Sequence, residues 1–294
     1  MTAEIRPLPA FEYLTPSSVG EAIAALAAHG GAAKLLSGGT DLLLRMKKQK
    51  SAPTILVDLN GISELEFIEL QASALHIGAG TRLASLYESP LVREKAAALA
   101  EAIRVMSSPT IRNRATIGGN LCNASRCADT QAPLLALDAR LTLRGPAGER
   151  TVQAVSFFIA PGNGSDKTVM RADEILTEVV IPIRRGTSAF VKLGRRRGSS
   201  TAIISAAVFA LITNRTFEDI RIAVSAFGST PIRGRKVESA LTGRSVDAQT
   251  ISTAAVLIRD EIDPISDERA SAAYRREMAP VVIRRALGRV AIGE

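Results

Sequence analysis

The sequence predicts an α+β fold, and three observations lead to that prediction. An amphipathic helix with a capping-box start, Ser18-Val19-Gly20-Glu21, precedes a series of short runs rich in Ile, Leu and Val. Two glycine pairs, Gly38-Gly39 and Gly118-Gly119, each follow an apolar stretch. Apolar runs at 202–212 and 220–227 then predict two long antiparallel strands, followed by amphipathic helices.

The first elements surround the first glycine pair. Apolar side chains recur on one face of the first helix until Gly30-Gly31 ends it. The run 34–36 predicts a strand that enters the Gly38-Gly39 pair, and the run 42–46 predicts a buried helix behind it. The order strand, glycine turn, helix directs helix N-terminal amides towards an anion.

The middle and end of the chain alternate between strand and helix patterns. Strands are predicted at 54–59, 66–70, 74–78, 140–143, 175–183 and 190–193, with 66–70 and 74–78 forming a hairpin. Helices are predicted at 91–106, 134–137, 237–241, 248–260 and 271–290. Pro109 interrupts the chain after the first of these helices, and the second glycine pair follows.

The two glycine pairs predict two halves of one anion cradle. A glycine has no Cβ to hold a ligand away and adopts positive φ readily, so backbone N–H groups can converge on an oxygen-rich anion. Thr40 and Asn120, which follow the pairs, add a hydroxyl and an amide. A diphosphate is the natural ligand for such a cradle, and two ordinary tight turns are the alternative.

The charge of the chain narrows the range of partners only partly. The 294 residues carry a formal net charge of +8 at pH 7, compatible with nucleic acid, an anionic cofactor or an acidic partner chain. The densest basic runs, Arg45-Met46-Lys47-Lys48-Gln49-Lys50 and Arg195-Arg196-Arg197, lack the interleaved aromatic residues of single-strand binders. These runs indicate a solvated or partner-facing surface. No apolar run approaches the roughly 20 residues that span a bilayer, and residues 1–7 resemble no secretion signal, so we predict a cytoplasmic protein.

The few cysteines and histidines argue against a metal site and against a catalytic site of the chain's own. Cys122 and Cys127 are the only cysteines, and His29 and His76 the only histidines, whereas iron–sulfur clusters normally use four cysteines. A stable disulfide is not expected in a reducing compartment, and we predict packing rather than a redox role for both thiols. The sequence contains no nucleophile–histidine arrangement, H-E-x-x-H motif or P-loop, so hydrolysis is not favoured.

Three motifs in a fixed order carry a family resemblance. They are Ser37-Gly-Gly-Thr-Asp41, Gly78-Ala-Gly-Thr81 and Thr116-Ile-Gly-Gly-Asn120, the last followed by Asn123 and Asp129. Together they resemble the FAD-binding medium or β subunit of the molybdenum hydroxylases, the family of xanthine dehydrogenase, carbon monoxide dehydrogenase and 4-hydroxybenzoyl-CoA reductase. The segment from Gly78 is not a Rossmann fingerprint, because Leu83 stands at the third glycine position.

The resemblance covers nearly the whole chain and implies its domain organisation. It implies a PCMH-type FAD-binding domain at 1–186, made of two α/β subdomains split near residue 60. A C-terminal α+β domain at 187–294, a three-stranded antiparallel sheet with helices, follows.

The resemblance also implies which residues bind FAD. Two loops bind the diphosphate and the adjoining ribose or ribityl oxygens: Leu35, Leu36, Ser37, Gly38, Gly39, Thr40 and Asp41 in the first, and Thr116, Ile117, Gly118, Gly119, Asn120 and Asn123 in and after the second. Thr81 and Asp129 add side-chain hydrogen bonds, and Ile175 or Leu176 contacts the flavin ring. Lys192, in the pattern Phe190-Val191-Lys192, places a cation near the flavin that raises its reduction potential, unless it is a surface lysine. Arg126 is a candidate to neutralise phosphate charge.

The implied function is electron transfer within a larger enzyme. The family's substrate reacts at a molybdenum cofactor in a large subunit, and two [2Fe-2S] clusters in a small subunit exchange electrons with FAD. This chain is then one subunit of a heterotrimer, commonly a dimer of heterotrimers, with an external electron acceptor or donor. A stand-alone flavin-dependent oxidoreductase and an anion-binding module without redox chemistry are the alternatives.

Overall fold

The computed structural model describes residues 7–160, 167–196 and 199–292. Within these ranges the chain forms three consecutive units, each built around its own sheet. None of the helices in the described part of the chain is long and apolar enough to cross a lipid bilayer.

The first unit is a small parallel α/β arrangement. Its elements are β1 (Glu12–Leu14), α1 (Val19–His29), β2 (Ala33–Leu36), α2 (Leu42–Lys47) and β3 (Ile55–Asp58). The strands pair in parallel in the order β1-β3-β2. The Ser18 hydroxyl caps α1 by accepting a hydrogen bond from the Glu21 N–H, as the capping box predicts. Because parallel strands end at the same edge, the loops after β2 and β3 meet, and the Asn60 amide donates to the Ser37 carbonyl.

The second unit is an antiparallel sheet covered by short helices. Its sheet has the order β4-β5-β8-β6-β7. The elements are β4 (Ile68–Gln71), β5 (Ala74–Gly78), α3 (Leu83–Glu88), α4 (Pro90–Lys95), α5 (Ala97–Val105), α6 (Pro109–Arg112), α7 (Ile117–Asn123), α8 (Gln131–Ala136), β6 (Arg140–Gly145), β7 (Gly148–Gln153) and β8 (Ile175–Pro182). The predicted hairpin is confirmed as the antiparallel pair of β4 and β5. Apolar residues of this sheet and of α3, α5, α7 and α8 form one continuous core.

The third unit packs helices on one face of an antiparallel sheet. Its elements are β9 (Thr187–Gly194), β10 (Ala202–Thr213), β11 (Thr216–Ser225), β12 (Ile232–Arg233), α9 (Arg235–Leu241), α10 (Ala248–Val256) and α11 (Ala272–Ile292). The sheet order is β12-β11-β10-β9, and the two long strands predicted from the apolar runs are β10 and β11. The helices α9, α10 and α11 cover the face of the sheet that includes Ala189 and Val191.

The structure differs from the sequence prediction in several elements. The helix predicted at 91–106 is two helices, α4 and α5, because Ala96 leaves the helical region with φ −141°. The C-terminal sheet has four strands rather than three, since the two-residue β12 pairs with β11. Strand β7 was not predicted, because its sequence Gly-Glu-Arg-Thr-Val-Gln is mostly polar and exposed. Helix α2 is not buried: Met46 is its only buried residue, and Leu44 is 50% exposed.

Candidate functional site

Three loops meet where the first and second units touch. They are the segment 37–41 after β2, the segment 78–82 after β5 and the segment 114–119 that enters α7. The Ser37 and Thr116 hydroxyl oxygens lie 2.9 Å apart, which links the first loop to the third. Arg82 donates from Nη1 to the Arg114 carbonyl at 2.6 Å, and the Ile117 N–H donates to the Thr81 carbonyl at 3.1 Å. The family motifs, separate in the sequence, therefore form one surface.

Two of the four paired glycines are required by contact between these loops. A Cβ on Gly38 would lie 2.2 Å from the Arg114 carbonyl oxygen, and one on Gly118 would lie 2.7 Å from the Ala79 carbonyl oxygen. Both distances are below any real carbon contact, so these glycines allow backbone to pack against backbone. Gly39 has φ +72°, a conformation that glycine adopts without strain. Gly119 is exposed, and a Cβ there would lie 2.9 Å from the Thr116 hydroxyl oxygen, so that side chain would have to shift.

The two glycine pairs do not contribute backbone donors equally. The Gly118 N–H donates to the Ala79 carbonyl at 2.8 Å, and the Gly119 N–H donates to the Thr116 hydroxyl at 3.0 Å, because Thr116 caps α7. In the first loop, the N–H groups of Gly38, Gly39 and Thr40 find no acceptor among the described residues. The free amides that an anion needs are therefore concentrated in the first loop, which differs from the symmetric cradle expected from the sequence.

A buried ion pair lies between the second and third units. Lys192 on β9 places Nζ 2.6 Å from Asp129 Oδ2 and 3.2 Å from the Val105 carbonyl oxygen. The two side chains are only 9% and 4% exposed. Burial raises the pKa of Asp129 to about 6, although the charge and hydrogen bond of Lys192 act in the opposite direction. This pair joins a residue of the second unit to one of the third, and it makes Lys192 a buried, oriented cation rather than a surface lysine.

Two buried oxygen acceptors near this pair have no partner among the described residues. They are Asp129 Oδ1 and Gln131 Oε1. A buried acceptor without a donor costs free energy, so such atoms indicate a place where a ligand donates hydrogen bonds. The Thr130 hydroxyl, between these two residues in the sequence, donates to Asn120 Oδ1 at 2.6 Å and so orients the Asn120 side chain. Gln131 was not predicted from the sequence, and the polar run Asp129-Thr130-Gln131 ahead of the apolar helix α8 was the available signal.

The other predicted site residues divide into accessible and buried groups. Ser37, Thr40 and Asn123 are partly exposed, Asp41 is exposed and Leu35 is half-buried. Leu36, Ile117 and Leu176 are buried in the apolar cores, so their side chains support the loops from behind. Thr81 is also buried, and its hydroxyl already donates to the Phe67 carbonyl and accepts from the Phe67 N–H. Its predicted hydrogen bond to a cofactor would have to use the remaining lone pair.

The segment after α7 is tied to the third unit by an ion pair that the sequence did not predict. Arg126 donates from Nη2 to Asp267 Oδ2 at 2.7 Å. Asp267 also accepts from Arg269 and from the fully buried Arg275. Although burial alone would raise it, hydrogen bonds from the Arg269 and Ala270 N–H groups and from Arg275 hold the pKa of Asp267 well below its usual range. Arg126 is thus engaged with a carboxylate, which argues against the phosphate role expected for it.

The two thiols are free and unreactive in character. Cys122 and Cys127 form no disulfide. Burial raises the pKa of the Cys122 thiol to about 12 and also raises that of Cys127, so both remain protonated at neutral pH. The described residues contain no cluster of histidine, cysteine and acidic side chains that could hold a metal ion.

Comparison with known proteins identifies the family. Residues 9–184 match the family described as the FAD binding domain in molybdopterin dehydrogenase, and residues 189–290 match the CO dehydrogenase flavoprotein C-terminal domain. The chain belongs to this family of FAD-binding medium subunits of molybdenum-containing dehydrogenases, and it is an oxidoreductase subunit.

Individual relatives are similar over almost their full length. The chain is 37% identical to the carbon monoxide dehydrogenase medium chain of Hydrogenophaga pseudoflava, over 95% of this chain and 96% of the relative. It is 31% identical to the caffeine dehydrogenase subunit beta of a Pseudomonas strain, over 96% and 95%. A solved structure of the Hydrogenophaga carbon monoxide dehydrogenase superimposes with a TM-score of 0.92, at 35% identity, covering 98% of this chain and 99% of that one. The structure of quinoline 2-oxidoreductase from Pseudomonas putida 86 gives a TM-score of 0.91 at 30% identity, with coverage of 98% and 99%.

Proposed function

We propose that this chain is the FAD-binding electron-transfer subunit of a heterotrimeric molybdenum-containing hydroxylase or dehydrogenase. A large subunit carries the molybdenum cofactor, and a small subunit carries two [2Fe-2S] clusters. The chain relays electrons between those clusters and an external acceptor or donor, in an enzyme that assembles as a dimer of heterotrimers in the cytoplasm. The observation that carries this proposal is that α7 begins beside the loop with free amides, through the Ser37–Thr116 contact, and is followed in the chain by the orphaned buried acceptors Asp129 Oδ1 and Gln131 Oε1.

The donor and acceptor sets of the site fit FAD. The free N–H groups of Gly38, Gly39 and Thr40 suit the oxygens of a diphosphate. The orphaned Asp129 Oδ1 and Gln131 Oε1 suit the N–H and hydroxyl donors of a flavin and its ribityl chain. The exposed Gly119 lets a ligand approach the start of α7 closely. We therefore propose that the residues named from the family resemblance, apart from Arg126, bind or support this cofactor.

FAD supplies the chemistry of exchanging electrons singly with clusters and in pairs with an acceptor. The chain holds the cofactor and sets its electrostatic surroundings. Lys192 is fixed by Asp129 and by the Val105 carbonyl, so its positive charge has a defined position at the site. We propose that this charge stabilises negative charge on the reduced cofactor, and that Asp129 limits the effect by partial neutralisation.

Purification of the chain with its neighbours from the native source tests the proposal. We expect a yellow complex of three different subunits, with FAD on this chain and with iron and molybdenum on the others. A chain that stays colourless after addition of FAD would refute the flavoprotein assignment. Substrate turnover by the isolated yellow chain, without iron or molybdenum, would instead support a stand-alone flavin-dependent oxidoreductase.

A further inference from the structure

A second concave site lies away from the glycine loops, along the free edge of β9. The cavity has a volume of about 730 Å³, and its floor is the continuous segment 190–195, which is the end of β9 and the residue after it. One wall is α5, through Glu101, Arg104 and Val105, and the other is α11, through Arg285, Gly288 and Arg289. None of the residues in the three glycine-motif loops lines it.

The floor of this groove is the edge of a sheet. β9 is the outer strand in the order β12-β11-β10-β9, so one side of its backbone has no neighbouring strand. At Phe190 the free side is already capped: the N–H donates to Glu101 Oε2 at 2.6 Å, and the carbonyl accepts from Arg289 Nη1 at 3.0 Å. Residues two apart on a strand direct their backbone groups to the same side, so the N–H and C=O of Lys192 also face the groove. No side chain among the described residues caps them.

The walls of the groove are strongly basic. Among the described residues, five arginines line it, namely Arg104, Arg195, Arg196, Arg285 and Arg289, against one carboxylate, Glu101. Glu101 is already engaged by Phe190 and by Arg289, whose guanidinium lies 3.4 Å away. Arg104 and Arg285 are exposed and have no hydrogen-bond or ionic partner within the described part of the chain. Arg104 and Arg285 therefore offer positive charge that the described part of the chain does not neutralise.

We infer that this groove receives an acidic, extended segment of a partner protein, which pairs with β9 as an additional strand. A strand supplies both the acceptor for the Lys192 N–H and the donor for its C=O, whereas an inorganic polyanion supplies only acceptors. Alternate side chains of such a strand point to opposite sheet faces, towards α5 on one side and α11 on the other. Two consecutive acidic residues would therefore meet Arg104 and Arg285.

A strand bound in the groove would have a structural consequence for the proposed cofactor site. The side chain of Lys192 reaches Asp129, while its backbone lies on the floor of the groove. A bound strand would fix the backbone of the same residue whose side chain lies at the proposed cofactor site. The groove thus connects partner binding to the position of Lys192.

The test measures binding of a labelled peptide, Thr-Val-Glu-Glu-Val-Thr, to the FAD-saturated full chain by fluorescence anisotropy. The double variant Arg104→Glu/Arg285→Glu should weaken binding at least about tenfold, because charge reversal opposes both acidic residues. The matched double variant Arg93→Glu/Arg284→Glu, which changes exposed arginines outside the groove, should bind within about twofold of the original chain. The FAD content of each variant checks that it is folded. If the charge-reversal variant is not folded, Arg104→Gln/Arg285→Gln takes its place.

Two further probes separate strand pairing from simple charge attraction. A peptide with N-methylated backbone keeps both carboxylates but cannot pair as a strand, so it should bind at least about tenfold more weakly. Inorganic diphosphate should compete only weakly. The proposal is overturned if the acidic peptide does not bind, if N-methylation or charge reversal leaves binding unchanged, or if diphosphate binds in place of the peptide.

Discussion

At the scale of single residues, the glycines of the two motifs have different physical roles. Gly38 and Gly118 lie where one backbone touches another, and a methyl group on either would overlap a carbonyl oxygen. Gly119 lies on the surface at the start of α7, where an added Cβ would overlap no backbone of another loop but would press on the Thr116 hydroxyl, 2.9 Å away. Substitutions at Gly38 and Gly118 therefore test folding, whereas a substitution at Gly119 tests ligand binding.

Gly119→Val should weaken FAD binding by at least about tenfold while the chain stays folded, because the new side chain occupies the approach to the loops. Gly20→Val is the matched control, since Gly20 also lies in the first turn of a capped helix and a Cβ there meets only Ser18 Oγ at 3.8 Å. Titration of the apoprotein with FAD measures both. Equal affinities in the two variants would contradict the assignment of Gly119.

By contrast, Gly38→Ala should lower the free energy of unfolding by about 3 kcal/mol through overpacking.

Asp129 predicts a pH dependence of stability in the FAD-free chain. Its pKa is about 6 in the folded state against an ordinary 3.8. Between these two pH values the folded chain binds more protons than the unfolded chain. The contribution of Asp129 to the free energy of unfolding is therefore full below about pH 4 and is lost as the pH rises through 6. Asp129→Asn should remove that decline.

Urea denaturation at pH 4, 5, 6 and 7 measures the effect as the difference in unfolding free energy between the original chain and Asp129→Asn. The difference should change between pH 4 and 6 and be constant above. Asp260→Asn, at an exposed position, controls for the loss of a surface carboxylate. A difference that stays the same at all four pH values would show that Asp129 titrates normally.

At the scale of elements, much of the fold could be predicted from the sequence because its signals are local. The hairpin of β4 and β5, the long pair of β10 and β11 and the capped helix α1 are all encoded by periodicity and turn residues within a few positions. The break at Ala96 between α4 and α5 had no such signal, since alanine favours helix. Strand β12 also escaped prediction, because two residues are too few to show a period.

The candidate site was less predictable than the fold, and the reason is long-range contact. The motifs correctly identify loops that the structure brings together. The sequence could not indicate that the Gly118 amide is taken by Ala79, or that Arg126 pairs with Asp267, 141 residues further on. Which hydrogen-bond donors remain free depends on such contacts. These contacts form only when the loops are folded against each other.

The loop around Asp267 connects the segment after α7 to the third unit, and this predicts acid sensitivity. The pKa of Asp267 lies below its ordinary value of 3.8, so its contribution to stability is present above pH 4 and is lost as the pH falls further. Asp267→Asn should be less stable at pH 7 and should lose less stability on acidification than the original chain. Thermal unfolding at pH 7 and below pH 4 measures both effects. If the original chain and Asp267→Asn lose equal stability on acidification, this role of Asp267 is contradicted.

At the scale of the whole molecule, the proposed cofactor site depends on how the three units are held together. The glycine loops belong to the first and second units, whereas Lys192 belongs to the third. Asp138, in the turn after α8, forms one of the ionic connections between the second and third units. It pairs with Arg233 Nη1 and with Arg221 Nε at 2.6 Å each. The Arg233 side chain is only 4% exposed, whereas that of Asp138 is 29% exposed, so the contact is shielded from water on the arginine side.

Asp138→Asn should therefore affect stability and cofactor binding together. Asparagine tolerates the left-handed backbone of this position, where φ is 51°, so the change removes the charge without adding backbone strain. Loss of the carboxylate leaves the buried Arg233 with Glu238 as its only carboxylate partner and should lower the free energy of unfolding by about 3 kcal/mol. The half-exposed Asp219, which also pairs with Arg221, is the control, and Asp219→Asn should cost less than about 1 kcal/mol.

FAD titration of the same two variants then tests whether the site spans the units. If Lys192 contributes from the third unit, loosening the contact at Asp138 should weaken FAD binding, although Asp138 is not among the proposed FAD-binding residues. Asp219→Asn should leave the affinity unchanged. A chain that loses stability in Asp138→Asn but keeps its full affinity for FAD would show that the first two units bind the cofactor alone, and that Lys192 lies outside the binding site.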